Sequence, residues 1–370
     1  MASPKLLIDL DQVSKNIEKV YSKAKKQNIK LVPHIKTHQS FTITNKFIEL
    51  GVKDFTVASI DMAKALLKSD LNEKIESITI AFPVDFTRTE EIEELNSKIR
   101  TNIFIVNKKS AEELVKRLKN PINCFIEVDT GYKRTGFSED KLNEFVETLN
   151  IVKESNKLNL QGIYFHAGHT YDARSESQIK KTYFASLKIA KKFNELIKSN
   201  DLEGTIIATG DTPSASVLDD WGEIQQMHPG NFTLYDLFQN QVGSCSIDEI
   251  ALCMQNTIVD KNEERQELLI HGGSVHFSKD NFEKDGKKIF GLPARLVKKN
   301  NQISWEKLDL EKNFIKSLSQ EHGIIKLSEE EFKQFEIGDS IGVIPVHSCL
   351  SSQAMGEFYD NRTNEVIERI

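Results

Sequence analysis

The sequence predicts an α/β protein, a (β/α)8 barrel of the TIM type followed by a C-terminal β-rich domain. Three observations carry this. From residue 29 onward, short β-branched runs alternate with amphipathic stretches bearing Lys and Glu on one face, the pattern of βα units around a parallel sheet. Polar clusters at Lys36, 129–134, 166–171, 209–212 and 230–235 each follow one of those runs, and the strand C-terminal ends of such a barrel form one mouth where chemistry is done. After about residue 240 the helical period fades into apolar runs separated by polar turns, which reads as strands.

The elements follow in order. LLIDLDQVSKNIEKVYSKAKK (6–26) predicts a strand and then a helix with Val13, Ile17, Val20 and Tyr21 on one face. The barrel strands are IKLVPHI (29–35), DFTVAS (54–59), SITIAF (77–82), TNIFIV (101–106), INCFIEV (122–128), LQGIYF (160–165), GTIIAT (204–209) and EIQQMH (223–228). Beyond them, EIALCMQNTIV (249–259), QELLIHGG (266–273) and DSIGVIPV (339–346) predict the β-rich domain. The expected division is 1–28 as a strand and helix, the strand joining the C-terminal domain; 29–240 as the barrel; and 241–370 as the β-rich domain. A chain of 370 residues fits two domains, because single hydrophobic cores stop growing at roughly 250 to 300 residues.

Composition narrows the function. With 39% hydrophobic and 28% charged residues and a net charge of 49 − 55 = −6, the chain is ordinary for a globular protein. Its lysines are spread over helix-like segments, so a nucleic-acid partner has no electrostatic footprint. No apolar run approaches the ~18 residues needed to span a bilayer, and the N-terminus has acidic residues where a signal peptide needs an apolar core. The expectation is a cytoplasmic protein, off the membrane, with a small-molecule partner. Cys124, Cys245, Cys253 and Cys349 form no CxxC pair, which argues against disulfides or a structural zinc finger.

Certain segments carry chemistry. In Pro33-His34-Ile35-Lys36-Thr37-His38, a lysine ends an apolar strand between two histidines. Burial and nearby positive charge lower a lysine pKa and make the neutral amine available for Schiff-base formation. An isolated lysine at a strand end would more often be a surface residue. His166-Ala167-Gly168-His169-Thr170-Tyr171 places two imidazoles after a strand, which suits acid/base work. TGDTPS (209–214) and PGN (229–231) are glycine turns of the kind that lets backbone N–H groups approach a phosphate. His347 and Cys349 stand two residues apart on a strand-like run, so both side chains share a face and together hold one metal.

In this order the elements resemble D-threonine aldolases and D-serine dehydratases, pyridoxal-phosphate enzymes of the alanine-racemase-like fold type III. The resemblance rests on PHIKTH, VDTGYKRTG (128–136), HAGHTY, TGDTP, PGN and HSC (347–349), and spans essentially the whole chain. It implies pyridoxal 5'-phosphate linked to Lys36, with Arg134, Tyr171, Thr209, Gly210, Thr212, Gly230 and Asn231 around it. Arg134 would bind a carboxylate or the pyridine ring, and the sequence leaves both open. His34, His166 and His276 would face the substrate, and His347 and Cys349 would hold a catalytic divalent metal, Zn²⁺ before Mn²⁺ or Mg²⁺. A homodimer is also implied.

Three positions depart from that pattern. Asp211 replaces a glycine beside the phosphate, His228 stands where arginine is common, and His271-Gly272-Gly273 stands where Asp-x-Gly is more frequent. Asp280, nearby, either reaches the site or shapes a turn, as does His276. The expected activity is dehydration of a β-hydroxy-D-amino acid, D-serine or D-threonine, to a 2-oxo acid and ammonia, because Cys349 favours zinc. Retro-aldol cleavage to glycine and an aldehyde is the alternative, followed by a racemase or a non-catalytic cofactor-binding protein.

Overall fold

The computed structural model describes residues 4–370. Strand β1 (Lys5–Ile8) leads into helix α1 (Leu10–Lys26). Asp9 starts that helix by accepting the N–H groups of Asp11 and Gln12, and Val13, Ile17, Val20 and Ala24 bury one stripe, the spacing of an amphipathic helix. The barrel follows as β2 (Lys30–Leu31), β3 (Asp54–Val57), β4 (Ser77–Pro83), β5 (Arg100–Ile105), β6 (Ile122–Val128), β7 (Leu158–Phe165), β8 (Ile206–Thr209) and β9 (Gln226–Met227).

Neighbours in sequence pair in parallel from β3 to β9, and β9 returns to β2. The circle closes at a parallel bridge between His34 and Thr56. The eight-stranded barrel predicted from the sequence is therefore present, although four of its strands are shorter than expected, β2 and β9 most of all. Two more, β3 and β8, span four residues each where six were expected. Pro33 lacks an N–H and cannot extend the ladder, so 29–35 forms only β2 and the His34 bridge. The run 223–228 begins in a turn, with Gly222 at φ 67° and the Ile224 N–H bonded to its carbonyl.

Helices α2 (Phe41–Glu49), α3 (Ile60–Leu67), α4 (Thr89–Lys98), α5 (Lys108–Arg117), α6 (Leu142–Glu154), α7 (Glu176–Ser199) and α8 (Thr212–Val217) connect the strands. Ser40, Ser59, Asn107, Ser175 and Asp211 cap α2, α3, α5, α7 and α8 by accepting a first-turn N–H, which satisfies donors the helix itself cannot. Inside the barrel Phe104, Phe125 and Tyr164 pack together, with ring centroids 6.3 Å and 4.6 Å from Phe104. They plug the barrel beneath its mouth.

The second domain is mostly strand. Gln302–Lys307, Gly291–Lys299, Ser340–Pro345, β10 (Leu252–Asn262), β1, Phe358–Asp360 and Val366–Ile367 lie side by side in that order. Strand β1 is thus an inner strand of this sheet, antiparallel to β10 and parallel to Phe358–Asp360. Two contacts bring the domain to the barrel mouth. The Phe238 N–H bonds to Val346 O at 3.1 Å, and the chain at 368–370 pairs backbone with 39–41, including Ile370 N–H to Gln39 O at 2.7 Å.

Phe47 of α2 shows how the mouth is braced. It is fully buried and packs edge-on to Phe55 of β3 and Phe232 beyond β9, and stacks with His38. Phe47→Ala would open a void where helix, barrel and the Lys36 loop meet. The expected loss is about 3–5 kcal/mol of stability, measured by chemical denaturation of wild type and variant.

Candidate active site

A cavity of about 1440 Å³ opens at the strand C-terminal ends, between the barrel and the second domain. Lys36 presents its side chain to it from the turn after the His34 bridge. Burial lowers the Lys36 pKa, the Cys349 thiol opposes that shift, and the Arg134 guanidinium adds to it. The two flanking histidines diverge. His34 lines the cavity, and burial, with Lys36 beside it, holds its pKa well below the usual value. His38 turns into the core, where its Nδ1 accepts the Ser40 N–H at 3.1 Å and burial brings its pKa to about 3.

The VDTGYKRTG segment folds back on itself after β6. Asp129 accepts the N–H groups of Gly131 and Lys133, both at 2.9 Å, and Gly136 sits at φ 100° where a Cβ would lie 2.7 Å from Glu127 O. This fold brings Arg134 to the cavity, 3.5 Å from Glu127. Glu127 is buried, its carboxyl raised by that burial, and it also accepts the Thr135 hydroxyl at 2.8 Å.

His166 and Tyr171 face the same space. His166 Nδ1 bonds the Gly210 carbonyl, and burial with Arg134 nearby lowers its pKa to about 3. Tyr171 Oη accepts the Thr212 N–H at 3.3 Å, and its ring stacks on Phe238. His169 turns away toward Ser186 of α7, at 3.3 Å.

The two glycine loops are packed against their neighbours. A Cβ on Gly210 would lie 2.4 Å from His228 O, and one on Gly230 2.8 Å from His34 O. Gly210, Thr212, Gly230 and Asn231 line the cavity, while Thr209 is buried just behind. Asp211 caps α8, accepting the Ser214 N–H at 2.8 Å and the Thr170 hydroxyl at 2.9 Å. One carboxylate oxygen is thereby engaged in holding the loop, and burial pushes the Asp211 pKa up to about 6. His228 is also buried, 2.8 Å from Thr56 Oγ1, and burial lowers its pKa to about 3.

His347 and Cys349 line the same cavity as Lys36. The expectation of a shared strand face needs correcting. The strand ends at Pro345, His347 precedes the helix Ser348–Met355, and Cys349 lies in that helix's first turn. The two meet through the helical turn instead. Cys349 Sγ lies 3.2 Å from Thr37 Oγ1, and the His347 Nδ1–H donates to Asp280 Oδ2 at 2.6 Å. Burial opposes a charged His347, but the hydrogen bonds to Asp280 and Cys349 outweigh it and push its pKa up to about 11. Burial likewise raises Cys349, yet His347 offsets this and holds the thiol below its usual value.

His276 lies outside the cavity. Its Nε2 is 3.9 Å from Glu321, which also sits 3.5 Å from His271, and ligand atoms of the three lie within 4.8 Å of one another. His276 Nδ1 accepts the Gly273 N–H at 3.2 Å, so a neutral ring carries its proton on Nε2 and has no lone pair there for an ion. Glu127 and Asp236 are among the cavity residues that the sequence reading missed. Glu127 could have been found as a charge near the end of an apolar parallel strand. Asp236 caps the helix Leu237–Val242 and accepts from Asn231 at 2.8 Å and the Ser348 N–H at 2.9 Å, contacts that no local pattern announces.

Comparisons with known proteins agree with this geometry. The family described as "Alanine racemase, N-terminal domain" matches residues 8–228, and "Putative serine dehydratase domain" matches 251–360. A D-serine dehydratase of Dictyostelium discoideum is 26% identical over 99% of this chain and 95% of its own. One from Schizosaccharomyces pombe is 24% identical over 100% and 90%. Among solved structures, a D-threo-3-hydroxyaspartate dehydratase from Delftia sp. superposes with a TM-score of 0.89 at 17% identity, covering 100% of this chain and 98% of that one. A D-threonine aldolase from Filomicrobium marinum gives 0.83 at 16%, covering 100% and 95%. The chain belongs to the family described as "Alanine racemase, N-terminal domain", with a C-terminal part that matches the serine dehydratase model.

Proposed function

We propose that this protein is a metal-activated, pyridoxal-phosphate-dependent lyase that dehydrates β-hydroxy-D-amino acids of the D-serine and D-threonine class to a 2-oxo acid and ammonia. The observation that carries this reading is the convergence of Lys36, with a lowered pKa, and the His347–Cys349 pair on one cavity. Full-length similarity to D-serine dehydratases supports it.

The residues present fit the cofactor. Gly210 and Gly230 leave no room for a side chain, and the hydroxyls of Thr209, Thr212 and Ser214 are buried without partners, as a phosphate-binding wall would leave them. Lys36 would hold the cofactor covalently, Thr209, Gly210, Thr212, Gly230 and Asn231 its phosphate, and Tyr171 and Arg134 its ring. Arg134 already pairs with Glu127, which favours a structural or ring contact over capture of a free carboxylate. When bound, pyridoxal phosphate acts as an electron sink that makes the substituents at a substrate's Cα labile. The chain's own task is to decide which bond breaks.

Lys36, freed once the substrate's amine has taken its place, would supply the base. Its lowered pKa makes the neutral amine available to take the proton from Cα. His34 and His166, held uncharged by burial, add no competing cation to the cavity. The imidazole and thiol of His347 and Cys349 form a soft donor pair that suits Zn²⁺ and leaves positions open. A metal there would act as a Lewis acid on the β-hydroxyl. A cysteine-to-alanine variant of a D-threo-3-hydroxyaspartate dehydratase has been solved in a metal-free form. Retro-aldol cleavage is the second reading, favoured by the fold shared with the aldolase, and the thiol at Cys349 weighs against it. The exposed Phe82 and Leu350 at the cavity rim suit contact with a second copy of the chain.

Two measurements test this. Purified protein with pyridoxal phosphate and Zn²⁺ is expected to convert D-serine to pyruvate or D-threonine to 2-oxobutyrate, and to lose that activity with a chelator. Glycine and acetaldehyde from D-threonine without any oxo acid would overturn the dehydratase reading. Gly210→Ala is expected to abolish cofactor retention on gel filtration while the protein stays folded, since its Cβ would displace the His228 carbonyl.

A further inference from the structure

The loop between the short helix Ser274–Phe277 and the strand Phe282–Lys284 brings into the cavity a carboxylate that the reaction as described does not use. Asp280 Oδ2 lies 2.6 Å from His347 Nδ1. An ionised carboxylate only accepts, so His347 donates its Nδ1–H, and the proton the ring gives up to bind an ion is the one on Nε2. The contact therefore selects one tautomer of the ring.

The loop is built to keep the carboxylate there. Ser278 holds φ 71° and ψ −178°, a region that is essentially glycine's and that persists in other residues only where surroundings enforce it. Its hydroxyl accepts the Asp280 N–H at 3.1 Å. Phe277 is buried, and its carbonyl accepts the Ser351 hydroxyl at 3.3 Å. That bond fastens the loop to the helix that bears Cys349. The carboxylate and the His-x-Cys turn are thus held in one frame although they lie far apart in sequence.

We propose that Asp280 is a positioning residue for a metal centre at His347 and Cys349, fixing the ring direction and tautomer of His347 so that Nε2 faces the ion. This rests on the metal reading of His347 and Cys349 given above. Carboxylates in this relation to a ligating histidine orient the ring and raise its basicity as a ligand. A bare surface ion pair would have no bearing on metal affinity.

The test uses full-length protein loaded with pyridoxal phosphate. Zinc affinity is measured by competition with a metallochromic chelator for wild type, Asp280→Ala, Asp280→Asn and His347→Ala. Asp280→Ala is expected to bind zinc about 10- to 100-fold more weakly. Asp280→Asn is expected to recover part of that loss, because its amide oxygen still accepts the Nδ1–H. Near-UV circular dichroism and cofactor content matching wild type establish that the loss is not one of folding. Zinc affinity in Asp280→Ala equal to wild type, with zinc lost from His347→Ala, would overturn the proposal and leave the metal reading standing. Zinc held undiminished by His347→Ala would remove both.

Discussion

The arrangement depends on how the barrel closes. Pro33 offers a carbonyl and no N–H, so the first strand cannot run on as a regular ladder. Closure falls instead to two backbone bonds about His34, from Thr56 N–H to Pro33 O at 2.9 Å and from Ile35 N–H to Thr56 O at 3.0 Å. Immediately afterwards the chain turns and releases Lys36 into the mouth. The same residue anchors the loop beyond the last strand, since the His34 N–H bonds to Pro229 O at 2.8 Å and Gly230 packs on His34 O. The lysine and the proposed phosphate loop are therefore set by one joint. The 368–370 segment, paired to 39–41, ties the second domain to it.

The electrostatics of the mouth follow from burial and pairing. Burial keeps His34, His38, His166 and His228 uncharged, while Arg134 is paired to a buried Glu127 and His347 to Asp280. Lys36 then stands beside neutral imidazoles and a thiol. Burial, with the Arg134 guanidinium adding to it, favours the neutral amine there against the opposing effect of the Cys349 thiol. Asp211, the residue most at odds with a phosphate loop, spends one oxygen on the α8 cap, and its raised pKa lessens the negative charge it would set against a phosphate.

Much of this was legible in the sequence because its signals are local. Each barrel strand is a short apolar run bounded by turn residues, and 77–82, 101–106 and 122–128 stand within a residue of the observed bounds. The ends were misjudged where backbone chemistry overrides composition, at Pro33 and Gly222. PHIKTH, TGDTP and PGN are contiguous segments whose residues meet at the mouth. Contacts made by the fold were less visible. Asp236 reaches Ser348 across 112 residues, and whether Asp280 or His276 would turn inward depended on a strained serine between them. His347 and Cys349 meet through a helical turn, although an alternating strand gives the same spacing.

The central claim is that Lys36 carries the cofactor. Full-length protein reconstituted with pyridoxal phosphate, reduced with borohydride, digested and read by mass spectrometry tests it most directly. The expected result is a pyridoxyl-phosphate adduct on the peptide containing Lys36, absent from Lys36→Ala. An adduct on another lysine at equal yield in both proteins would contradict it.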